Sequence, residues 1–173
     1  MEGNYYYGDG GHPYHLSVGA LVMNEKGEVL THNYPNLSAW GFSPDLGSCV
    51  LLMRESIESG ETLEQALHRG LMEEFGATGT IVTYIGSIIS HFLRPHDKTS
   101  IEKTTVYFLV SPKEIDFSKR KNDIENTSEL LWRQPMELMK EMREQSICYG
   151  RDDINESAII ERGIARWGMS ISV

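Results

Sequence analysis

The stretch that most constrains the fold of this chain is residues 60–76, which read GETLEQALHRGLMEEFG. At about 100° per residue, its apolar side chains fall on one arc of a helix. They are Leu63, Ala66, Leu67, Leu71 and Phe75. Gly70 and Glu74 lie on the same arc, and Glu73 lies at its edge. The pattern predicts a core-packed helix over residues 62–75 that carries carboxylates on or beside the face it buries.

These carboxylates need a physical explanation, because an unpaired buried carboxylate is costly or becomes protonated. In one explanation the last helical turn frays into solvent and Gly76 is its C-cap. In the other the acids hold a cation. Acids near a helix C-terminus oppose the helix dipole, and Arg69 lies four residues before Glu73, within reach of an ion pair. These features favour a cation, and carboxylate oxygens suit Mg²⁺ or Mn²⁺.

Length and composition describe the class of protein. The chain has 173 residues, which predicts one domain. Its polar and aromatic N-terminus predicts a flexible arm over 1–13, which leaves the domain over 14–173. The formal charge of −9 argues against binding to nucleic acid or to an anionic membrane. The two cysteines form no CxxC pair, so neither a disulfide framework nor a zinc site is indicated. With neither a signal peptide nor a long apolar run, we expect a cytoplasmic protein.

The rest of the sequence predicts a sheet covered by helices. Two apolar runs flank a hairpin-type turn at 24–27, a short apolar run around 49–53 is compatible with a buried strand, and β-branched residues mark strands over 80–93 and 103–111. A polar loop over 94–103 separates the last two. Residues 128–133 are compatible with another strand, Pro135 begins a helix, and Asp152-Asp153 is a candidate cap for a last helix. The fold class is therefore mixed α/β with a mixed β-sheet.

The helical stretch resembles the Nudix box, G-x5-E-x7-R-E-U-x-E-E-x-G-U, where U is aliphatic. The matching residues are Glu61, Arg69, Leu71, Glu73, Glu74 and Gly76. A pattern of this length is a specific signal, and the order of strands is also similar over roughly residues 14 to 133. The resemblance implies an α/β/α sandwich with a mixed sheet.

The stretch departs from the box at two positions. Glu55 stands at the opening glycine, and Gly70 replaces the glutamate after the arginine. In family members that glutamate is commonly a metal ligand and, in some, the proposed general base. Either metal binding is weaker here or another acid substitutes. The candidates are Glu55, Glu58 and Glu102, each with an ordinary surface position as the alternative.

The resemblance also implies an activity, the Mg²⁺- or Mn²⁺-dependent hydrolysis of a pyrophosphate bond in a nucleoside diphosphate linked to another moiety. Glu73 and Glu74 are the metal ligands that it implies, and Glu61 is a further ligand or a water-mediated one. The resemblance assigns to Arg69 the role of orienting these glutamates. The partner is a small-molecule nucleotide, and a homodimer is one of the assemblies that the family allows.

Several residues outside the box are candidates for substrate binding. Lys103 is placed to meet a distal phosphate, and Tyr84, His91, Phe92 or Trp132 to stack on a base; a solvated lysine and packed aromatic rings are the alternatives. Gly70 also keeps a second function open, a Nudix-fold module that binds nucleotide or metal with weak or no turnover. A third hypothesis is a fold that serves oligomerisation or partner binding alone, against which the retained box residues argue.

Overall fold

The computed structural model describes residues 14–93, 98–121 and 127–170 of the chain, and the expected arm over 1–13 lies outside these ranges. The strands in this part are β1 (Tyr14–Val22), β2 (Val29–Tyr34), β3 (Cys49–Leu51), β4 (Met53–Ser56), β5 (Ala77–Leu93), β6 (Ser100–Ile115) and β7 (Glu129–Arg133). The helices are α1 (Leu63–Phe75), α2 (Pro135–Tyr149) and α3 (Ser157–Ser170). None of the described helices is long and apolar enough to cross a bilayer.

Helix α1 begins and ends where its sequence provides caps. The Thr62 hydroxyl accepts a hydrogen bond from the Gln65 amide, and the Gln65 side chain accepts one from the Thr62 amide. This reciprocal pair satisfies two donors that the first turn leaves unpaired. Gly76 ends the helix at φ 60°, a left-handed conformation that glycine adopts without strain. The predicted helix and its glycine C-cap are confirmed.

The strands form two sheets. The larger has the order β4-β1-β6-β5, in which β1 and β6 run parallel and the other neighbours antiparallel. The smaller is antiparallel, with the order β3-β2-β7. The mixed sheet is therefore confirmed. Because β3 and β4 are separated by only Leu52, the chain passes directly from one sheet into the other.

The predicted hairpin turn forms, but the strands it joins separate. The Asn24 side chain accepts hydrogen bonds from the amides of Lys26 and Glu28, and Met23 pairs with Val29 beyond the turn. Strand β1 is already hydrogen-bonded on both sides by β4 and β6, so β2 continues into the smaller sheet. This choice of partners depends on long-range pairing, which the turn residues do not encode.

The larger sheet separates two apolar cores. Val18, Ala20 and Val22 of β1 pack with α1, whereas the alternate residues Leu21 and Met23 pack with α2 and α3. Alternation along a strand produces these two faces. The helices thus cover both faces of the sheet, and the α/β/α sandwich is confirmed.

Two element boundaries differ from the sequence predictions. Strand β6 starts at Ser100, so residues 100–102 of the predicted loop already lie in the strand that was predicted to start at Lys103. Asp152 and Asp153 lie in a separate 3-10 turn, and α3 starts only at Ser157. The Ser157 amide donates a hydrogen bond to the Asn155 side chain. The prediction that Asp152 or Asp153 caps the last helix is therefore wrong.

Candidate active site

Arg69 of α1 is held in a fixed orientation by Glu61 and by β4. Its Nε and Nη2 atoms each donate to one carboxylate oxygen of Glu61 at 2.9 Å, and Nη2 also donates to the Ser56 carbonyl at 2.7 Å. The hydrogen bonds from Arg69 lower the pKa of the Glu61 carboxyl. This two-pronged contact fixes the guanidinium plane against the N-terminal side of the helix.

The remaining nitrogen of Arg69 faces three further carboxylates. Nη1 lies 3.1 Å from Oε2 of Glu55, 3.7 Å from Oε2 of Glu73 and 3.8 Å from Oε1 of Glu58. The predicted ion pair between Arg69 and Glu73 is therefore present. Together with Glu61, four carboxylates from β4, α1 and the segment between them surround one guanidinium, and we call Glu55, Glu58, Glu61 and Glu73 the acidic group.

Glu73 lies on the outer side of the acidic group. Its side chain is 29% exposed, and its Oε2 atom lies 3.2 Å from Nζ of Lys121. The Lys121 amide also donates to the Glu73 carbonyl at 2.8 Å. The segment after β6 is thereby attached to the last turn of α1, next to the carboxylate.

Glu74 points in a different direction from Glu73 and is buried. Its Oε2 atom lies 2.8 Å from Nε2 of His32 in β2, and Nδ1 of the same ring lies 2.7 Å from the Ser128 hydroxyl. Arg120 completes the surroundings, donating to the Glu74 carbonyl at 2.7 Å and to the Ser128 carbonyl and hydroxyl. The sequence offered a frayed end or a cation as the explanation of this acid; the structure adds a buried histidine partner.

His32 is neutral in this arrangement. Burial, reinforced by the positive charges of Arg120 and Arg54, lowers its pKa to about 3. A neutral imidazole has one donor and one acceptor nitrogen, so Nε2–H donates to Glu74 while Nδ1 accepts from Ser128. All the hydrogen-bonding capacity of the ring is used, and one oxygen of Glu74 is fixed by it.

A cavity of about 650 Å³ lies on the other side of β4. Its aromatic and aliphatic lining includes Leu37, Phe42, Leu51, Phe92, Tyr149 and Ile154. Its cationic lining comes from Arg54, Lys103 and Arg151, with His15 and Asp153 alongside. The Arg151 guanidinium lies 3.6 Å from the centroid of the Phe92 ring and 5.6 Å from that of Phe42. Such a surface combines stacking area with positive charge.

The charged residues at the base of the cavity form a buried network. Arg54 lies 3.7 Å from carboxylate oxygens of both Asp153 and Glu156, and Glu156 accepts a 2.6 Å hydrogen bond from the Tyr107 hydroxyl. Burial raises the pKa of the Glu156 carboxyl and lowers that of the Lys103 amine to about 8. The Lys103 charge is therefore present at neutral pH and is lost under mildly alkaline conditions.

Tyr84 and His91, which were also predicted to bind substrate, lie elsewhere. Tyr84 is 54% exposed, with its hydroxyl 2.9 Å from that of Ser87 and its ring against Phe108. His91 is exposed and lies 3.7 Å from Glu102. Neither lines the cavity, whereas Lys103 and the further stacking candidate Phe92 do. Their roles in binding stay predictions.

Strand β4 separates the cavity from the acidic group. Successive side chains in a strand point to opposite faces, so Arg54 faces the cavity while its neighbour Glu55 faces α1. Among the described strands, β4 is one edge of the larger sheet. The two chemically distinct surfaces are thus adjacent, one on each side of an edge strand.

The acidic group has the donor chemistry of a magnesium site without a completed set of ligands. Within the described ranges, no three His, Cys, Asp or Glu side chains are arranged to hold a metal ion. The carboxylates are directed at Arg69 or, for Glu74, at His32. Hard oxygen donors at a partly exposed position nevertheless suit Mg²⁺ or Mn²⁺, so the residues fit such an ion chemically.

Comparison with known proteins identifies the family. A family model described as the NUDIX domain matches residues 13–149. The chain belongs to the NUDIX domain family. Members of this family in general hydrolyse a nucleoside diphosphate linked to another moiety, and they generally use divalent metal ions. The matched range extends through α2, further than the likeness visible in the sequence alone.

A solved structure supports the NUDIX fold over nearly the whole chain. A NUDIX hydrolase from Nitrosomonas europaea superposes with a TM-score of 0.54 and 16% identity, and the match covers 90% of this chain and 89% of that one. At this identity the likeness concerns the fold. No curated protein sequence gives a significant match.

Sequence reasoning did not find several residues around the site. Three of them surround Glu74: His32 comes from β2, Arg120 precedes residues 122–126 and Ser128 follows them. His32 and Ser128 are 96 residues apart along the chain. The cavity residues Arg54 and Arg151 were also missed. No local pattern marks these positions, because only the tertiary fold brings them together.

Proposed function

We propose that this NUDIX domain hydrolyses a pyrophosphate bond of a nucleoside diphosphate linked to another moiety, with Mg²⁺ or Mn²⁺ as cofactor. The observation that carries the proposal is the acidic group around Arg69. Four carboxylates share one guanidinium, with Lys121 at the rim, so negative charge is in excess. A divalent cation relieves this repulsion and allows the phosphates of a substrate to approach.

The residues of α1 take different roles in this proposal. A bound metal ion supplies neutralisation of the diphosphate and a bound water of lowered pKa. Glu73 is the proposed ligand nearest to solvent, and Glu74 the second, with its carboxylate oriented by His32. Glu61 acts through a water, because both of its oxygens already accept hydrogen bonds from Arg69. Arg69 is a positioning residue that holds the acidic group together.

The cavity supports a binding position for the nucleoside. Phe42 and Phe92 line it with aromatic surface, and Arg151, whose guanidinium is already stacked on Phe92, adds positive charge for phosphate oxygens to that of Arg54 and Lys103. Because β4 is an edge strand, a diphosphate bound by Arg54 can continue around the strand towards Glu55 and Glu73. The two surfaces would then hold the two ends of one substrate.

The test is a panel of nucleoside diphosphate derivatives assayed with Mg²⁺ or Mn²⁺, using the unaltered protein, Glu73→Gln, Glu74→Gln and Glu64→Gln. Glu64 is an exposed α1 residue near His68 and serves as the matched control. We expect turnover to fall at least about 100-fold in Glu73→Gln and Glu74→Gln. Mutating a residue that only supports a metal ligand already lowers activity about 10–100-fold, and these substitutions change the proposed ligands themselves. Glu64→Gln should retain it. Equal turnover in all four proteins would refute the assigned ligands.

A second candidate function is a NUDIX module that binds nucleotide or metal without turnover. It is favoured by Gly70 and by the lack of a completed ligand set among the described side chains. Metal-dependent nucleotide binding with no hydrolysis of any member of the panel would support this module and contradict the enzyme.

A further inference from the structure

Strand β5 is an edge of the larger sheet and pairs on one side only. Its antiparallel neighbour is β6, and within the described ranges no strand pairs with its other side. Because β5 has 17 residues, a long row of backbone N–H and C=O groups points away from β6. Such a row is a template to which a further strand can add.

The other described sheet edges have features that oppose strand addition. Strand β3 has only three residues, β4 has four and includes Arg54 and Glu55, and β7 has five and includes Glu129 and Arg133. Short length and charged side chains both discourage pairing with another chain. Strand β5 has neither feature, since residues 77–93 contain no Asp, Glu, Lys, Arg or Pro. It is the edge of this protein at which strand addition is not opposed.

The second half of β5 is the regular part of this edge. The register against β6 shifts three times between Thr78 and Gly86, whereas residues 86–93 pair with β6 without interruption. Bulges twist a strand locally and so hinder further pairing, but they are confined to the first half. We call residues 87–93, which read SIISHFL, the edge segment.

The edge segment also exposes apolar side chains. Ile89 is 65% exposed and Leu93 is 59% exposed, and they lie on the same face of the sheet because they are four residues apart. An uncharged segment of seven residues with high β-propensity promotes association when it lies open at an edge. The backbone and the side chains of this segment thus both favour covering by another strand.

A second copy of this chain matches the edge segment. Two identical strands in antiparallel orientation are self-complementary, so a two-fold axis near Ser90 lets residues 87–93 of one copy pair with residues 87–93 of the other. In this register no two charged side chains lie opposite each other. Each copy carries a formal charge of −9, and an uncharged strand is a place where two such copies can meet with little repulsion.

We propose that the protein forms a homodimer in which the edge segments of two copies pair antiparallel and join the two four-stranded sheets into one. The assembly closes at two copies, because β4 at the opposite edge of each sheet is short and charged. This proposal goes beyond the proposed function and does not depend on it. The acidic group lies at the β4 edge, so the two acidic groups would lie at the outer edges of the combined sheet.

The experiment compares the unaltered protein with Ile89→Lys, Leu93→Lys and the double variant, with Ile147→Lys as the matched control. Ile147 lies on α2 and is 82% exposed, so the control makes the same chemical change on an exposed surface away from β5. Sedimentation equilibrium measures the mass and the dissociation constant, and circular dichroism checks that each variant is folded. All three substituted side chains are already exposed, so we expect every variant to fold.

The unaltered protein and Ile147→Lys should both have twice the 19.6 kDa mass of one chain. Ile89→Lys and Leu93→Lys should each raise the dissociation constant of the dimer at least about tenfold, because each places two like charges in the interface. The double variant should be monomeric.

Hydrogen–deuterium exchange distinguishes strand pairing from packing of the exposed side chains. Amides of the edge segment that point away from β6 should exchange at least about tenfold more slowly in the unaltered protein than in the double variant. Amides of β1, which has neighbours on both sides in the larger sheet, should exchange equally in the two proteins.

Three results would overturn the proposal. The unaltered protein could be monomeric at millimolar concentration, which would exclude a second copy as the partner of the edge segment. The double variant could remain as dimeric as the unaltered protein, which would place the interface elsewhere. A dimer that the lysines disrupt, but whose edge-segment amides exchange as fast as those of the monomer, would be held by side-chain packing without strand pairing. The hydrolysis panel tests the proposed function separately from all three.

Discussion

His32 Nε2 donates a 2.8 Å hydrogen bond to Glu74 Oε2, joining β2 to α1 inside the protein. The imidazole also packs against the rings of Phe75 and Tyr34, with centroid distances of 4.8 and 5.4 Å. Since only 1% of the His32 side chain and 8% of the Glu74 side chain are exposed, water cannot replace either partner easily. The pair explains how α1 keeps an acid on its buried face.

Removing this partner should destabilise the protein. His32→Ala leaves the Glu74 carboxylate buried without its imidazole donor, which we expect to lower the free energy of unfolding by about 3 kcal/mol. Urea denaturation measures the change. The matched control is His68→Ala, since His68 lies on the exposed side of α1; its effect should stay within about 0.5 kcal/mol. Equal effects of the two substitutions would show that the His32–Glu74 bond contributes nothing.

The same histidine should make stability depend on pH. Burial lowers the pKa of His32 to about 3, against 6.5 for an unperturbed histidine, so the unfolded chain binds more protons between these values. The contribution of His32 is therefore complete above pH 6.5 and declines as the pH falls, by up to about 1.4 kcal/mol per pH unit.

Comparison with His32→Gln isolates this contribution, because glutamine can still donate to Glu74 but does not titrate. As the pH falls from 6.5 to 4, the unfolding free energy of the unaltered protein should decrease relative to that of His32→Gln. Other groups, such as Glu55, titrate in both proteins and cancel. Parallel curves over this range would refute a neutral, buried His32.

Replacing either of two helical glycines by alanine should change the stability of the protein, in opposite directions at the two positions. At Gly70 the gain of up to about 1 kcal/mol in helix propensity is outweighed by overpacking of 1–3 kcal/mol against Glu55 and Met53, so stability should fall. At Gly168 in α3 no other described part of the chain comes within 4 Å of the added Cβ, and stability should rise by up to about 1 kcal/mol. Thermal unfolding of both variants measures this. A stabilised Gly70→Ala would contradict the close approach of α1 and β4.

Lys103 should make nucleotide binding sensitive to alkaline pH. Burial lowers its pKa to about 8, so the amine carries its charge at pH 7 and loses it by pH 9.5. If it meets a phosphate, affinity for ADP measured by titration calorimetry should fall roughly tenfold over this range, the value of one charged hydrogen bond. Lys103→Met should start weaker and lose this pH dependence, whereas the exposed Lys140→Met on α2 should retain it. The same pH response in Lys103→Met would exclude this role.

The sequence was most informative where the interactions are local. Thr62, Gln65 and Gly76 define the ends of α1 through contacts within a few residues, and apolar spacing defines its buried face. The Arg69–Glu73 pair follows from a four-residue separation. The box residues also predicted the family, because together they match a long and specific pattern.

The structure was needed wherever the contact is long-range. The sequence showed that Gly70 is unusual, yet only the crossing of α1 and β4 shows that Glu55 lies over it. The sequence also raised the question of a buried Glu74, but its partner His32 is 42 residues away, in strand β2 of the smaller sheet.

What the sequence determined by itself is the amphipathic helix, its caps, the mixed α/β class and the set of acids offered to a cation. The tertiary structure alone decided where each acid points: Glu61 and Glu55 to Arg69, Glu74 to His32, and Glu73 to the rim with Lys121. Helical periodicity fixes the direction in which a side chain leaves the backbone. The partner that it meets depends on which distant strand packs there, and this is set by the folding of the whole chain.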